Sequence, residues 1–156
     1  MHFGKVRIEF QDLAAAPVTA VRVGRALGGW AAVTDGGVLV ALTPSRRATL
    51  ALLPRLRLVR SPGRPPTARL AIARGTSFQL KVWRACRAIP VGRTVPYGEL
   101  ARRIGCRSAQ AVGQALGRNP LCRLIPCHRV TSRASSGGFA WGAHLKRRWL
   151  RQEQAG

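Results

Sequence analysis

Acidic residues are scarce in this chain. Five Asp+Glu stand against 27 Lys+Arg in 156 residues, a formal net charge of +22. Such an excess repels itself in a compact state unless a polyanion is near. Nucleic acid is the expected partner, with an anionic membrane surface as the lesser option. Lysine is scarce too, at Lys5, Lys81 and Lys146 only. The basic charge is therefore nearly all arginine, a bias that an arginine-rich genome also produces, so the position of the charge says more than its total. No run approaches the ~20 apolar residues of a membrane span. The start, Met1-His2-Phe3-Gly4-Lys5, lacks a signal-peptide core and cleavage pattern, which makes a cytoplasmic protein the expectation. Cys86, Cys106, Cys122 and Cys127 form no Cys-x-x-Cys, and histidine is limited to His2, His128 and His144. In a reducing compartment neither a disulfide framework nor a structural zinc site is expected, and no cofactor is implied. There is no internal repeat. Apolar residues, 46% of the chain, are spread throughout, enough for a core and against low-complexity disorder.

What is present divides near residues 60–75, giving expected domains at 1–70 and 71–156. In the first, Val6–Phe10 alternates apolar and polar as a half-buried strand does. Trp30–Thr34 and Val38–Leu42 flank Asp35-Gly36-Gly37, a hairpin turn. Arg46–Leu53 reads as a short helix closed by Pro54, and Ser61–Pro66 as a turn-rich linker. The second part is mostly helical. Thr76 or Ser77 caps a helix with the apolar stripe Phe78, Val82, Ala85 and Cys86, Trp83 beside it. A second helix runs from about Tyr97 to Ile104 and stops at Gly105. A third starts at Ser108 and carries Ala109, Val112, Gly113 and Leu116 on one face until Asn119-Pro120. A Gly/Ser-rich loop and a basic helix over about 144–152 close the chain. The fold class is α+β. The basic residues divide 12 before Gly75 and 15 from there on, the acidic ones 3 and 2. The more positive helical part is therefore where nucleic-acid contact is expected.

Two features of that part carry chemistry. Tyr97–Gly117 has the form of a helix-turn-helix, though an ordinary αα-hairpin gives the same pattern. Its second helix is rich in Ala and Gly, with Gln110 and Gln114 as its longer polar residues. A reader of major-groove base edges carries Arg, Asn or Gln. A small-residue helix instead lets the backbone approach DNA closely, which suits the minor groove or a shape-based contact. The second feature is Pro126-Cys127-His128-Arg129. A neighbouring base turns a thiol into a nucleophilic thiolate. Adjacent residues of an extended segment point apart, so His128 would reach the sulfur through a water. A third group would orient the imidazole, and only Glu99 and Glu153 lie in this part. The competing reading is a buried, inert cysteine, and it holds more firmly for Cys86 and Cys122, while Cys106 sits in the inter-helix turn. His144 is expected on a solvated face. Lys146, Arg147, Arg148 and Arg151 bind phosphate or simply form a solvated face.

Together these motifs resemble a family. Leu124-Ile125-Pro126-Cys127-His128-Arg129-Val130, preceded by Gly117-Arg118-Asn119-Pro120, resembles the active-site signature of the O6-alkylguanine-DNA alkyltransferases, bacterial type. Gly75-Thr76-Ser77-Phe78-Gln79 with Val82-Trp83, Ile89-Pro90-x-Gly92 and Pro96-Tyr97 is similar to its helical lead-in. Gly138-Phe139-Ala140-Trp141-Gly142 with Lys146-Arg147 is similar to its loop and last helix. The resemblance covers about 75–153 and implies a ribonuclease-H-like sheet for the N-terminal lobe. It implies a monomer that binds double-stranded DNA containing O6-alkylguanine, with O4-alkylthymine as a further candidate substrate, flips the base out and takes the alkyl group onto Cys127 without turnover. It implies His128 as base, Glu153 orienting His128, Asn119 holding the turn, and Tyr97 protonating or hydrogen-bonding the leaving base. The carbonyls of Cys127 and Val130 and the Ala140 N–H would bind the base, with Phe139 and Trp141 shaping its pocket. Thr94, Arg107, Ser108, Ala109, Gln110, Ala111, Gln114, Arg118 and Arg129 would contact DNA.

The chain departs from the pattern in places. The arginine that fills the space left by the flipped base is here Gln110, with Arg107 as a substitute. A pocket tyrosine is Phe139, and the N-terminal zinc set of some members is missing. The alternative is an alkyltransferase-like sensor that binds and flips damaged bases without efficient transfer. The presence of Cys127 weighs against it and Gln110 for it. An inert Cys-His pair in a basic DNA-binding protein is a further alternative that the motif order disfavours.

Overall fold

The computed structural model describes residues 6–12, 19–54, 58–68, 70–132 and 138–155. It is a mixed α/β protein with five α-helices and a six-stranded sheet among these residues. By contacts the chain forms two compact units: the residues up to Leu80 with Pro120–Cys122, and Lys81–Asn119 with the residues from Arg123 onward.

In the first unit the strands are β1 (Arg7–Asp12), β2 (Thr19–Ala26), β3 (Gly29–Thr34), β4 (Val38–Thr43), β5 (Leu58–Ser61) and β6 (Leu70–Gly75). Their order is β1-β6-β4-β3-β2-β5. The β2–β3–β4 meander is antiparallel, whereas β1–β6, β6–β4 and β2–β5 are parallel. The expected strands near 6–10, 30–34 and 38–42 are present, joined for the last two through Asp35-Gly36-Gly37 with Gly37 at φ 76°. Sequence reading passed over β2, β5 and β6. In β2 the inward pair Val21 and Val23 alternates with arginine, but Gly24 interrupts the pattern; its missing side chain is required because a Cβ there would lie 2.5 Å from Pro65. Leu27 and Gly28 close the β2–β3 hairpin, both at positive φ (51° and 75°), as a two-residue turn matched to strand twist demands.

Helix α1 (Arg46–Leu52) starts where the Ser45 hydroxyl accepts from the Ala48 N–H. Its buried Thr49 hydroxyl bonds the Trp30 carbonyl at 2.9 Å and meets the Thr43 hydroxyl at 2.9 Å. The core beneath is small and aliphatic: Val21, Val23, Ala32, Val40, Ala41 and Leu53. Each such valine or leucine contributes roughly 1.5–3 kcal/mol.

Helix α2 (Ser77–Arg87) is capped by Thr76, not Ser77. The Thr76 hydroxyl accepts from the Gln79 N–H at 3.3 Å, and the Gln79 side chain accepts from the Thr76 N–H at 3.0 Å, a reciprocal capping box. Val82, Trp83 and Cys86 are buried, but Phe78, expected on that stripe, is 38% exposed. It sits in the first turn, ahead of the stretch that packs.

The second unit holds α3 (Tyr97–Arg103), α4 (Ala109–Gly117) and α5 (Ala143–Gln154). Gly105 at φ 70° ends α3, and Ser108 caps α4 by accepting from Ala111 N–H. The packed stripe of α4 is Val112, Ala115 and Leu116, with Ala109 exposed rather than on it. The Trp83 indole N–H donates to the Ala115 carbonyl at 2.9 Å and ties α4 to α2. Two-residue strands β7 (Val95–Pro96) and β8 (Val130–Thr131) pair in parallel. No helix among the described residues is long and apolar enough to cross a membrane. No disulfide joins the four cysteines, and the described residues form no metal-binding cluster.

Candidate active site

Cys127 and His128 occupy a 3-10 turn, Cys127–Arg129, that runs directly into β8. Pro126 ahead of it has no N–H to satisfy and sits at φ −79°, ψ 63°, so the chain turns sharply and both side chains end buried. Asn119 pins this turn from the end of α4. Its Nδ2 donates to the Ile125 carbonyl at 2.8 Å and lies 3.4 Å from Cys127 Sγ.

His128 is 2% exposed. Its Nε2 lies 2.8 Å from Glu153 Oε1, and Trp149 packs edge-on against the ring at 5.3 Å. Burial lowers its pKa, and the hydrogen bond to the Glu153 carboxylate only partly opposes that, so the ring is neutral at neutral pH. With Nε2 donating to the carboxylate, Nδ1 is left with a lone pair, and this buried atom has no hydrogen-bond partner among the described residues. A neutral imidazole with an available basic nitrogen is what proton removal from a thiol requires.

Glu153 is the hub. Arg129 grips it bidentately, Nε to Oε2 and Nη2 to Oε1, both at 2.8 Å, while Nη1 donates to the Ile89 carbonyl at 2.6 Å. The Gly92 N–H adds a bond of 3.3 Å. Burial works to raise the carboxyl pKa, but the hydrogen bonds from Arg129 and His128 outweigh it and bring it to about 2. The carboxylate therefore stays ionised. Arg129 was expected at the DNA surface; it is instead turned inward with only 12% of its side chain exposed. A partly buried carboxylate that also serves a histidine needs a countercharge, and Arg129, next to His128 in sequence, supplies it.

Lys146 corrects a second expectation. It is fully buried rather than part of a basic surface, whereas Arg147 and Arg148 beside it are exposed. Its ammonium donates to the Val130 carbonyl at 2.5 Å and the Gly138 carbonyl at 3.4 Å, above the rings of Tyr97 and Phe139. The Val130 carbonyl, expected to receive a base amine, thus already accepts one bond and retains one lone pair. Burial lowers the Lys146 pKa to about 8. Lys146→Met should cost about 1–3 kcal/mol by stranding these carbonyls. Wild-type Lys146 sheds its proton at a lower pH folded than unfolded. Its stability relative to Lys146→Met should therefore rise between about pH 8 and 10.5. Thermal melts of both proteins across that range check the sign.

A cavity of about 770 Å³ opens at Cys127, lined on one side by Tyr97, Gln110 and Gly113 and on the other by Phe139 and Ala140. That volume holds a nucleobase with room to spare. The Tyr97 hydroxyl donates to the Gly138 carbonyl at 2.8 Å, and burial first, then the charges of Cys127 and Cys86, raise its pKa, keeping it a protonated donor. Gly113 brings α4 against the Tyr97 ring: a Cβ there would stand 3.8 Å from Cε1. Trp141 is not among the lining residues. Cys86 is buried with a thiol pKa raised by burial, and is inert. Thr94, Arg107, Ser108, Ala109, Gln110, Gln114 and Arg118 are exposed and Ala111 half-buried; none takes part in the Cys127 network.

Sequence reading missed Trp149, Arg102 and the inward Arg129. Trp149 was findable: Lys146, Trp149 and Glu153 recur at three and four residues, one face of α5.

The sequence model of the family "6-O-methylguanine DNA methyltransferase, DNA binding domain" matches residues 77–155, half of the chain, and the chain belongs to this family. It is 45% identical over 83 residues to a Kluyveromyces lactis methylated-DNA–protein-cysteine methyltransferase, covering 52% of this chain and 44% of that protein. It is 47% identical over 81 residues to the Salmonella typhimurium protein of the same name, covering 51% and 47%. The chain thus spans about half the length of the curated relatives it matches. The crystal structure of a Mycobacterium tuberculosis OGT in complex with DNA superposes with a TM-score of 0.64 at 29% identity, over 88% of this chain and 94% of that one.

Proposed function

We propose that this protein repairs DNA by moving the alkyl group of O6-alkylguanine, and of O4-alkylthymine, onto its own Cys127. The observation that carries this is Cys127 lining a base-sized cavity, contacted by Asn119 and followed directly by the His128–Glu153–Arg129 network. His128 Nδ1 takes the Cys127 proton through a water. The thiolate attacks the alkyl carbon in line, a sulfur–carbon bond forms, the carbon–O6 bond breaks, and its electron pair stays on the base. Tyr97 supplies or shares a proton with the departing guanine. The thioether is stable, so each molecule acts once. The carbonyls of Cys127 and Val130, the Ala140 N–H and the Phe139 ring would recognise the base.

In this reading α3 and α4 act as a helix-turn-helix. Thr94 and Arg107–Ala111, with Gln114 and Arg118, meet the minor groove of double-stranded DNA, and base flipping delivers the lesion. The sheet unit is the ribonuclease-H-like lobe, with 1–70 supporting and 71–156 binding DNA and transferring. The protein works as a cytoplasmic monomer without cofactor or metal. Its net charge of +22 supplies salt-sensitive attachment during search.

Duplex DNA bearing O6-methylguanine should lose one methyl per protein molecule, and a second portion of DNA should stay unrepaired. Tight lesion binding with no methyl lost would mark a sensor instead. Gln110 is exposed at the rim and uncharged. Gln110→Arg should speed transfer several-fold if extrusion of the base limits the rate, read by quenched-flow transfer; an unchanged rate rejects that limit.

A further inference from the structure

Arg102 has no part in the reading above, yet it lines the same cavity. Among the described residues that line it, Arg102 is the one with a permanent charge. Its side chain is 73% exposed and is held by an ion pair to Glu99. Glu99 is shared, since Arg103 bonds its other oxygen at 3.1 Å. A carboxylate divided between two exposed guanidiniums holds each only weakly. The cluster carries a surplus positive charge at the cavity edge, and Arg102 can leave Glu99 at little cost.

We infer that Arg102 clamps a backbone phosphate of the nucleotide whose base enters the cavity. The inference rests on the proposed function and names a residue that function did not require. A base that reaches Cys127 remains joined to its strand, so its flanking phosphates must stop at the cavity mouth. An anion there, beside a half-enclosed apolar wall, needs a cation, and Gln110 on the facing helix offers none. Arg102 provides the fork geometry that binds phosphate oxygens in pairs. Arg103 shares Glu99 and has 52% of its side chain exposed but does not line the cavity, so it feels DNA only as general charge.

The test uses the full chain on a Cys127→Ala background and compares duplexes with and without O6-methylguanine. Arg102→Ala should weaken lesion-duplex binding about tenfold, the scale of one charge-assisted phosphate contact, and undamaged-duplex binding much less. The slope of log affinity against log salt should drop by about one for the lesion duplex. Arg103→Ala should weaken both duplexes alike, and Arg102→Lys should restore part of the discrimination. Equal losses from Arg102→Ala and Arg103→Ala on both duplexes, or no loss from either, overturn the clamp. Failure of the unsubstituted protein to accept a methyl would instead count against the proposed function, since this measurement reads binding alone.

Discussion

Cys127→Ala is expected to abolish alkyl transfer while leaving the fold and DNA binding in place. Sγ is the only atom removed. Asn119 keeps its 2.8 Å bond to the Ile125 carbonyl, and the His128–Glu153–Arg129 network does not pass through the sulfur. A single buried heavy atom lost costs about 1 kcal/mol or less. Lesion affinity should therefore stay within a few-fold of wild type, because the cavity walls and the exposed face of α4 are unchanged. Residual transfer would mean another nucleophile. Cys86, the neighbouring thiol, is a poor candidate because burial holds it protonated. A melting curve, a binding isotherm and a transfer assay on one preparation check all three statements.

The second large effect falls on Glu153. Glu153→Gln keeps the shape but removes the charge that both His128 and Arg129 face. Arg129 would then be mostly buried without its counterion, a loss of about 3 kcal/mol. His128 would face a neutral amide in place of the carboxylate that favours its protonated form, so transfer should fall about 10²-fold, at the low end of what general-base catalysis supplies. The pH dependence follows from the carboxyl. Its pKa of about 2 folded lies below the usual 4.5, so its stabilisation is complete above about pH 4.5 and is lost as pH falls towards 2. Wild type should lose stability across that window, and Glu153→Gln should lose less. His128 titrates in the same direction for activity. Its pKa is lowered by burial, so the neutral base persists below the usual histidine range, and transfer should fall only under more acid conditions. A transfer–pH profile whose acid limb lies above pH 6.5 would contradict a neutral, burial-lowered His128 as the base.

Much of this site was legible before any coordinates. The Cys-His pair stands in the sequence itself, while Asn119 and Glu153, seven residues after Lys146, were readable through the family resemblance. The helix caps were equally readable, because Thr76-x-x-Gln79 and Ser108 act within a few residues of themselves. What stayed hidden depends on partners distant in sequence. Arg129 looks like any surface arginine until Glu153 arrives from 24 residues away. Lys146 differs from Arg147 only by which way the α5 face points, and its neighbours, the Val130 and Gly138 carbonyls, are backbone groups that no side-chain pattern announces. β2 was missed because Gly24 breaks an alternation that Pro65 explains only once the strand is folded.

The central claim is a sulfur–carbon bond at Cys127, and mass spectrometry reads it directly. The unsubstituted protein would be incubated with duplex DNA containing a single O6-methylguanine, then weighed intact and after digestion. The account predicts a gain of one methyl, located on the peptide bearing Cys127, with guanine restored in the DNA. An unmodified Cys127 with the lesion still present, or a methyl found on another residue, would contradict it.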